Sequence, residues 1–184
     1  MKKECILVLD FGAQYAQLIA RRVRELNVYS EIVPHTITPD EIRALNARGL
    51  IYSGGPASVY EEGAFHSDPA LLAMDLPVLG ICYGMQLMSY QLGGEVASSS
   101  EKEFGPATVA VTDDPLFRGI GPKTDVWMSH GDRINAPPPR FHSIAGTINS
   151  PIAAFRDDSG KLYGLQFHPE VAHTKRGKEI LRNF

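Results

Sequence analysis

Three short apolar runs, each closed by glycine, do most to limit how this chain can fold: CILVLDFG at 5–12, GLIYSGG at 49–55 and PVLGICYG at 77–84. Each has the length of a strand and is apolar at almost every position. A strand with one wet face alternates apolar and polar residues, whereas a strand covered on both faces need not. Helical spacing fills the gaps. Leu18, Ile19, Val23 and Leu26 recur within Ala13–Asn27, and Thr38-Pro39-Asp40-Glu41 joins a capping box to a proline at the first helical position. Asp68-Pro69 opens a short helix through Met74, and Tyr83–Leu92 reads as a helix stopped by Gly93-Gly94. SEIVPH at 30–35 adds a strand. Strands and helices that alternate in this way build a parallel sheet with helices on both faces.

The second half changes character. ATVAVTD (107–113), DVWMSHGD (125–132) and HSIAGTI (142–148) are shorter strands, and AAFRDDSGKLYGLQF (153–167) is a hairpin with Asp158-Ser159-Gly160 at its turn. A helix is expected from about Thr174 to Phe184. The expectation is a single α/β domain over residues 1–184, a three-layer sandwich with a mixed, mostly parallel sheet. A composition 43% hydrophobic and 21% charged suits one such core. The net charge of −3 gives no basic surface for nucleic acid or an anionic membrane. The clusters Arg21-Arg22-Val23-Arg24 and Lys175-Arg176-Gly177-Lys178 read as solvated helix faces. No apolar run approaches the roughly 20 residues of a membrane span. The basic, then apolar, start MKKECILVLDFG reads as a first strand rather than a leader. Two cysteines are too few for a disulfide framework, which makes a reducing cytoplasm the expected setting.

In open α/β sheets, ligands bind beyond the carboxyl ends of the strands. Gly12, Gly54-Gly55 and Gly80–Gly84 mark the loops there. Gly80-Ile81-Cys82-Tyr83-Gly84 has the layout of a nucleophile elbow with sulfur as the nucleophile. In such a turn the nucleophile takes a strained backbone conformation, and the residues two before and two after must be small. Cys82 then sits at a helix N-terminus, where free N–H groups and the helix dipole favour a thiolate. The N–H of Tyr83 is a candidate oxyanion donor, and Gly55 is a candidate for the second. Cys5, in the first strand without flanking glycines, reads as core.

A nucleophilic cysteine needs a base, and the base needs a group to orient it. His35, His66 and His142 stand in polar or loop-like context, and His130, at the end of the DVWMSHGD run, is expected in a loop beside Gly131. His168 ends an apolar strand in His-Pro-Glu. Pro169 favours extended backbone at His168, so His168 and Glu170 project to the same side. On spacing alone, a casual strand-end pairing accounts for these two residues as well as catalysis does. His168 and His173 are five apart with a proline between, which does not match the zinc spacing H-E-x-x-H, and no metal is expected. SGGPAS at 53–58 is like an ATP pyrophosphatase loop, S-G-G-x-D-S, but lacks its Asp.

Taken together, SGGP, GICYGMQ, MSHGD and GLQFHPEVAHT resemble the class I glutamine amidotransferases, which have a flavodoxin-like fold. Tyr83, LDFGAQYAQLIARRVREL and HPEVAHT are nearest to the amidotransferase portion of the GMP synthases. Ala172 and Leu165 stand where the family often has Thr and Val. The resemblance implies a Cys82–His168–Glu170 triad that hydrolyses glutamine to glutamate and ammonia. It implies an oxyanion hole at Gly55 and Tyr83, and glutamine held by Gln86, Gly131 and Asp132. No cofactor is implied in this chain. Its partner would be an ATP pyrophosphatase domain or subunit that uses ATP and Mg to convert XMP to GMP, and no such synthetase sequence lies within the 184 residues. Two other readings fit: a non-catalytic regulatory or docking module of the same fold, and another cysteine hydrolase of the elbow type.

Overall fold

A computed structural model describes residues 3–184. Among them, nine strands form one sheet in the order β2-β1-β3-β4-β9-β8-β7-β5-β6. The strands are β1 Cys5–Asp10, β2 Ser30–Pro34, β3 Ala47–Tyr52, β4 Val78–Ile81, β5 Glu95–Val111, β6 Lys123–Ala136, β7 Phe141–Gly146, β8 Ala154–Asp157 and β9 Leu162–Leu165. The helices are α1 Ala16–Arg24, α2 Pro39–Ala44, α3 Tyr83–Gln91 and α4 Gly177–Asn183. The strands from β2 to β9 pair in parallel, and those from β9 to β6 pair antiparallel.

The inner parallel strands β1, β3 and β4 are largely apolar because both faces of the sheet are covered there. Val8, Ile51 and Leu79 lie side by side and pack with Ile19 and Val23 of α1 and Ile180 of α4. Their neighbours Leu7, Leu9, Leu50, Tyr52 and Val78 face the other way, onto Ile42 of α2 and Met85 and Met88 of α3. These are the three layers the sequence predicts.

Most elements fall where expected. Thr38 caps α2 through a complete capping box, and β8 and β9 form the hairpin with Gly160 at φ 71° in its turn. Cys5 is buried, and burial, aided by the charge of Glu31, pushes its thiol pKa up. The helix expected at 68–74 is a 3-10 turn over Pro69–Ala73, capped by the Asp68 carboxylate. Three expectations need correction. β5 begins at Glu95, twelve residues before the expected strand, because it pairs along β6 in a long hairpin. His130 lies within β6 rather than in a loop, its partner being Glu103 on β5. Arg22 is not on a solvated face: it is 30% exposed, and its Nε donates to the Glu170 carbonyl at 2.9 Å.

Candidate active site

The carboxyl ends of β1, β3, β4 and β9 converge, and the residues that follow them meet. At the end of β4 the chain makes the expected elbow. Cys82 has φ 53° and ψ −108°, a strained conformation for a residue with a side chain. The glycines on either side are sterically forced. A Cβ on Gly80 would lie 2.7 Å from the Gly84 backbone, and one on Gly84 would overlap the Tyr52 carbonyl. Cys82 is the N-cap of α3, and its own N–H donates to Leu165 of β9 at 2.7 Å. Its Sγ lies 3.5 Å from the Ser129 carbonyl, which accepts from the thiol.

His168 follows β9. Its N–H donates to the Trp127 carbonyl of β6 at 3.1 Å, and its own carbonyl accepts from Thr174 Oγ1 at 2.6 Å. Thr174 Oγ1 also accepts from the Trp127 N–H at 3.0 Å, so one hydroxyl ties β6 to the His-Pro-Glu turn. Gly177, at the start of α4, packs so closely on the Pro169 carbonyl that no side chain fits there. The His168 ring lies against Tyr15, with centroids 5.3 Å apart. His168 Nδ1 donates to Glu170 Oε1 at 2.7 Å. That orients the ring and leaves Nε2 for the sulfur.

Glu170 is completely buried, and its Oε2 has no hydrogen-bond partner among the described residues. A buried carboxylate in that setting needs a counter-charge close by. His168 can supply it. Burial works against a charged imidazole, but hydrogen bonds to Cys82 and Glu170 and the charge of Glu170 outweigh it, and the pKa is pushed up to about 10. The fold thus favours the protonated ring.

Cys82 stands where two clefts meet. The larger, about 500 Å³, is lined by Gly55, Tyr60, Gln86, His130, Gly131 and Asp132. The smaller, about 390 Å³, is lined by His168 and the loop Gly12–Tyr15. Gly55 and Tyr83 are in tight contact: a Cβ on Gly55 would lie 2.9 Å from Tyr83 Cγ. As the first residue of α3, Tyr83 has an N–H with no acceptor inside the helix. Gln86 Nε2 donates to the Asp132 carbonyl at 3.0 Å, and Tyr60 Oη donates to Asp132 Oδ1 at 3.0 Å. Of the eight residues singled out in the sequence, Gly55, Tyr83, Gln86, Gly131, Asp132 and His168 lie around Cys82, and Glu170 stands behind His168. His173, by contrast, packs on Trp127 with centroids 4.5 Å apart.

Sequence reasoning missed Gln166. It is fully buried, and its Nε2 donates to Cys82 Sγ at 3.8 Å while its Oε1 accepts from Gln86 Nε2 at 3.3 Å. The available signal was strand periodicity, since Gln166 stands two residues before His168.

Comparison with known proteins gives the family. The profile described as Glutamine amidotransferase class-I matches residues 7–184. The chain belongs to the class-I glutamine amidotransferases. It is 55% identical over 185 aligned residues to a GMP synthase (glutamine-hydrolyzing) of Geobacillus kaustophilus and, at the same identity, to that of Caldanaerobacter subterraneus. Each alignment covers 100% of this chain but 36% of the relative, so the chain spans about a third of the length of those proteins. A solved structure from Thermoplasma acidophilum, provisionally assigned as one subunit of a GMP synthase, superposes with a TM-score of 0.85 at 32% identity, covering 100% of this chain and 92% of that one. A glutamine amidotransferase from Thermotoga maritima, 24% identical with a TM-score of 0.73 over 93% of this chain and 77% of its own, shares the fold.

Proposed function

We propose that the chain hydrolyses glutamine to glutamate and ammonia through Cys82, His168 and Glu170, and hands the ammonia to a synthetase unit that converts XMP to GMP. The observation that carries this reading is the strained elbow cysteine at the mouth of a cleft, faced by a histidine whose other nitrogen is on a buried carboxylate. The names of the relatives at 55% identity support the choice of glutamine and of GMP synthesis. ATP and Mg belong to the synthetase unit. Both cysteines are free and no helix among the described residues is long and apolar enough to cross a membrane, in keeping with work in the cytoplasm.

Cys82 passes its proton to His168 and attacks the side-chain amide carbon of glutamine as a thiolate. The carbonyl oxygen becomes an oxyanion held by the N–H groups of Gly55 and Tyr83; one such donor contributes about 3 kcal/mol to the transition state. His168 Nε2 gives its proton to the amide nitrogen, the C–N bond breaks, and ammonia leaves a γ-glutamyl thioester. His168, now neutral, takes a proton from water as the water attacks the thioester. The C–S bond breaks, glutamate departs, and the thiolate–imidazolium pair is restored. Gln86 and the Gly131–Asp132 backbone hold the glutamine. The test is glutamate release from glutamine, with the synthetase unit, XMP and ATP supplied. Turnover is expected, and its absence under those conditions overturns the proposal.

A further inference from the structure

The mechanism makes no use of a buried acid–base pair behind the larger cleft. β5 and β6 pair Ser98 with Asp132 and Glu103 with His130, so four residues of β5 bulge out opposite Gly131 alone. The bulge delivers Glu103 to His130. The His130 side chain is 1% exposed and that of Glu103 10%. His130 Nε2 lies 3.2 Å from Glu103 Oε2, and its Nδ1 lies 2.9 Å from the Asp132 carbonyl. Glu103 is fixed in turn by the hydroxyls of Ser150 and Thr147, from the loop after β7, the latter at 3.1 Å.

We propose that Glu103 and His130 are a positioning pair that holds the Gly131–Asp132 wall of the cleft in its glutamine-binding form. The inference rests on the glutamine reading given above. A carbonyl can only accept, so His130 Nδ1 must carry a proton. The Asp132 carbonyl then accepts twice, from His130 Nδ1 and from Gln86 Nε2. Facing Glu103, one proton is shared between Nε2 and Oε2, either as imidazolium with carboxylate or as imidazole with carboxylic acid. Both arrangements lock the ring with Nδ1 on Asp132. Without Glu103 the ring loses its partner on that side, and the wall is left to Gln86 and the exposed Tyr60 bond. Neither residue of the pair acts on the reacting atoms.

The test compares two reagents at Cys82: a chloroketone analogue of glutamine, which needs the shaped cleft, and iodoacetamide, which does not. Glu103→Leu and His130→Leu are expected to slow chloroketone labelling about tenfold and to raise KM for glutamine about tenfold, with kcat and the iodoacetamide rate within about twofold of wild type. Glu103→Gln can still donate to a neutral His130 and His130→Asn can still donate to Asp132, so each is expected to restore labelling to within about threefold. Thr147→Val, at the edge of the network, is expected to act in the same direction by about threefold and decides the matter if the leucine variants do not fold. An unchanged ratio of the two reagents in these variants, or a loss of kcat equal to the change in KM, overturns the pair while leaving glutamine hydrolysis intact. A wild-type protein that reacts no faster with the chloroketone than with iodoacetamide overturns the glutamine reading, and the pair with it.

Discussion

The parallel strands β2-β1-β3-β4-β9 and the antiparallel strands β8-β7-β5-β6 belong to one sheet but serve the site differently. In the parallel half the inner strands β1, β3, β4 and β9 are covered on both faces, only the edge strand β2 is partly exposed, and the strands end in the same layer. Gly12, Gly55, Cys82 and His168 arrive there together because the core leaves them no other place. In the antiparallel half, β6 reaches the site from its middle rather than its end. Its residues Ser129–Asp132 wall the larger cleft and are held by Gln86, Tyr60 and the Glu103–His130 pair, while Thr174 anchors the strand just before them at Trp127. The difference teaches where changes should be felt. Damage to the parallel half should remove the chemistry, and damage to the contacts that pin β6 should loosen substrate binding.

The largest effect is expected at the elbow itself. Gly84→Ala drives a methyl into the Tyr52 backbone, where β3 cannot yield without disturbing the core. It should cost about 3 kcal/mol or more in a urea unfolding series and abolish glutamate release. Next comes Glu170→Gln, which removes the carboxylate that charges and orients His168. It should lower kcat by about a hundredfold or more with a smaller change in KM.

The same substitution tests the pH dependence of stability. The His168 pKa is raised in the folded chain, from 6.5 to about 10. The fold therefore favours the protonated ring: its contribution is complete below pH 6.5 and is lost as pH rises through about 10. Wild-type stability should fall over that window, and the fall should be shallower in Glu170→Gln, as measured by unfolding at fixed pH values.

At the seam between the halves, Thr174→Val leaves the Trp127 N–H and the His168 carbonyl without their shared partner. A loss of about 2 kcal/mol in stability is expected, together with a severalfold loss of kcat, since His168 loses an anchor. The smallest change is Tyr60→Phe, which removes one exposed bond to Asp132. A rise in KM for glutamine of about twofold, with a smaller change in kcat, would sharpen the division between the halves. A fall in kcat alone would break it.

Much of the parallel half was legible in the sequence because its constraints are local. Continuous apolar runs call for burial on both faces, and Gly80 and Gly84 flank Cys82 because backbone crowds both sites. His168 and Glu170 share a side because extended backbone has a period of two. The first part of β5 was not legible. EVASSSEKEFGP carries no apolar pattern, and its strand conformation comes from pairing with β6, more than twenty residues away in sequence. His130 was misplaced for the same reason, since a glycine next to a polar residue reads as a loop until a partner strand is known. Arg22 and Gln166 were missed because their roles depend on Glu170 and Cys82, which only the folded chain brings near.

The two cysteines offer the most direct test of the central claim, that an elbow thiol in the parallel half hydrolyses glutamine. Cys82 stands strained at a cleft, and Cys5 is buried in β1 with its Sγ–H donating to the Leu45 carbonyl. Glutamate release should be measured for the wild type, Cys82→Ala and Cys5→Ala under the same conditions, with the synthetase unit, XMP and ATP present. The account predicts a loss of at least about a thousandfold in Cys82→Ala and a rate within about threefold of wild type in Cys5→Ala. Turnover by Cys82→Ala at the wild-type rate would contradict it.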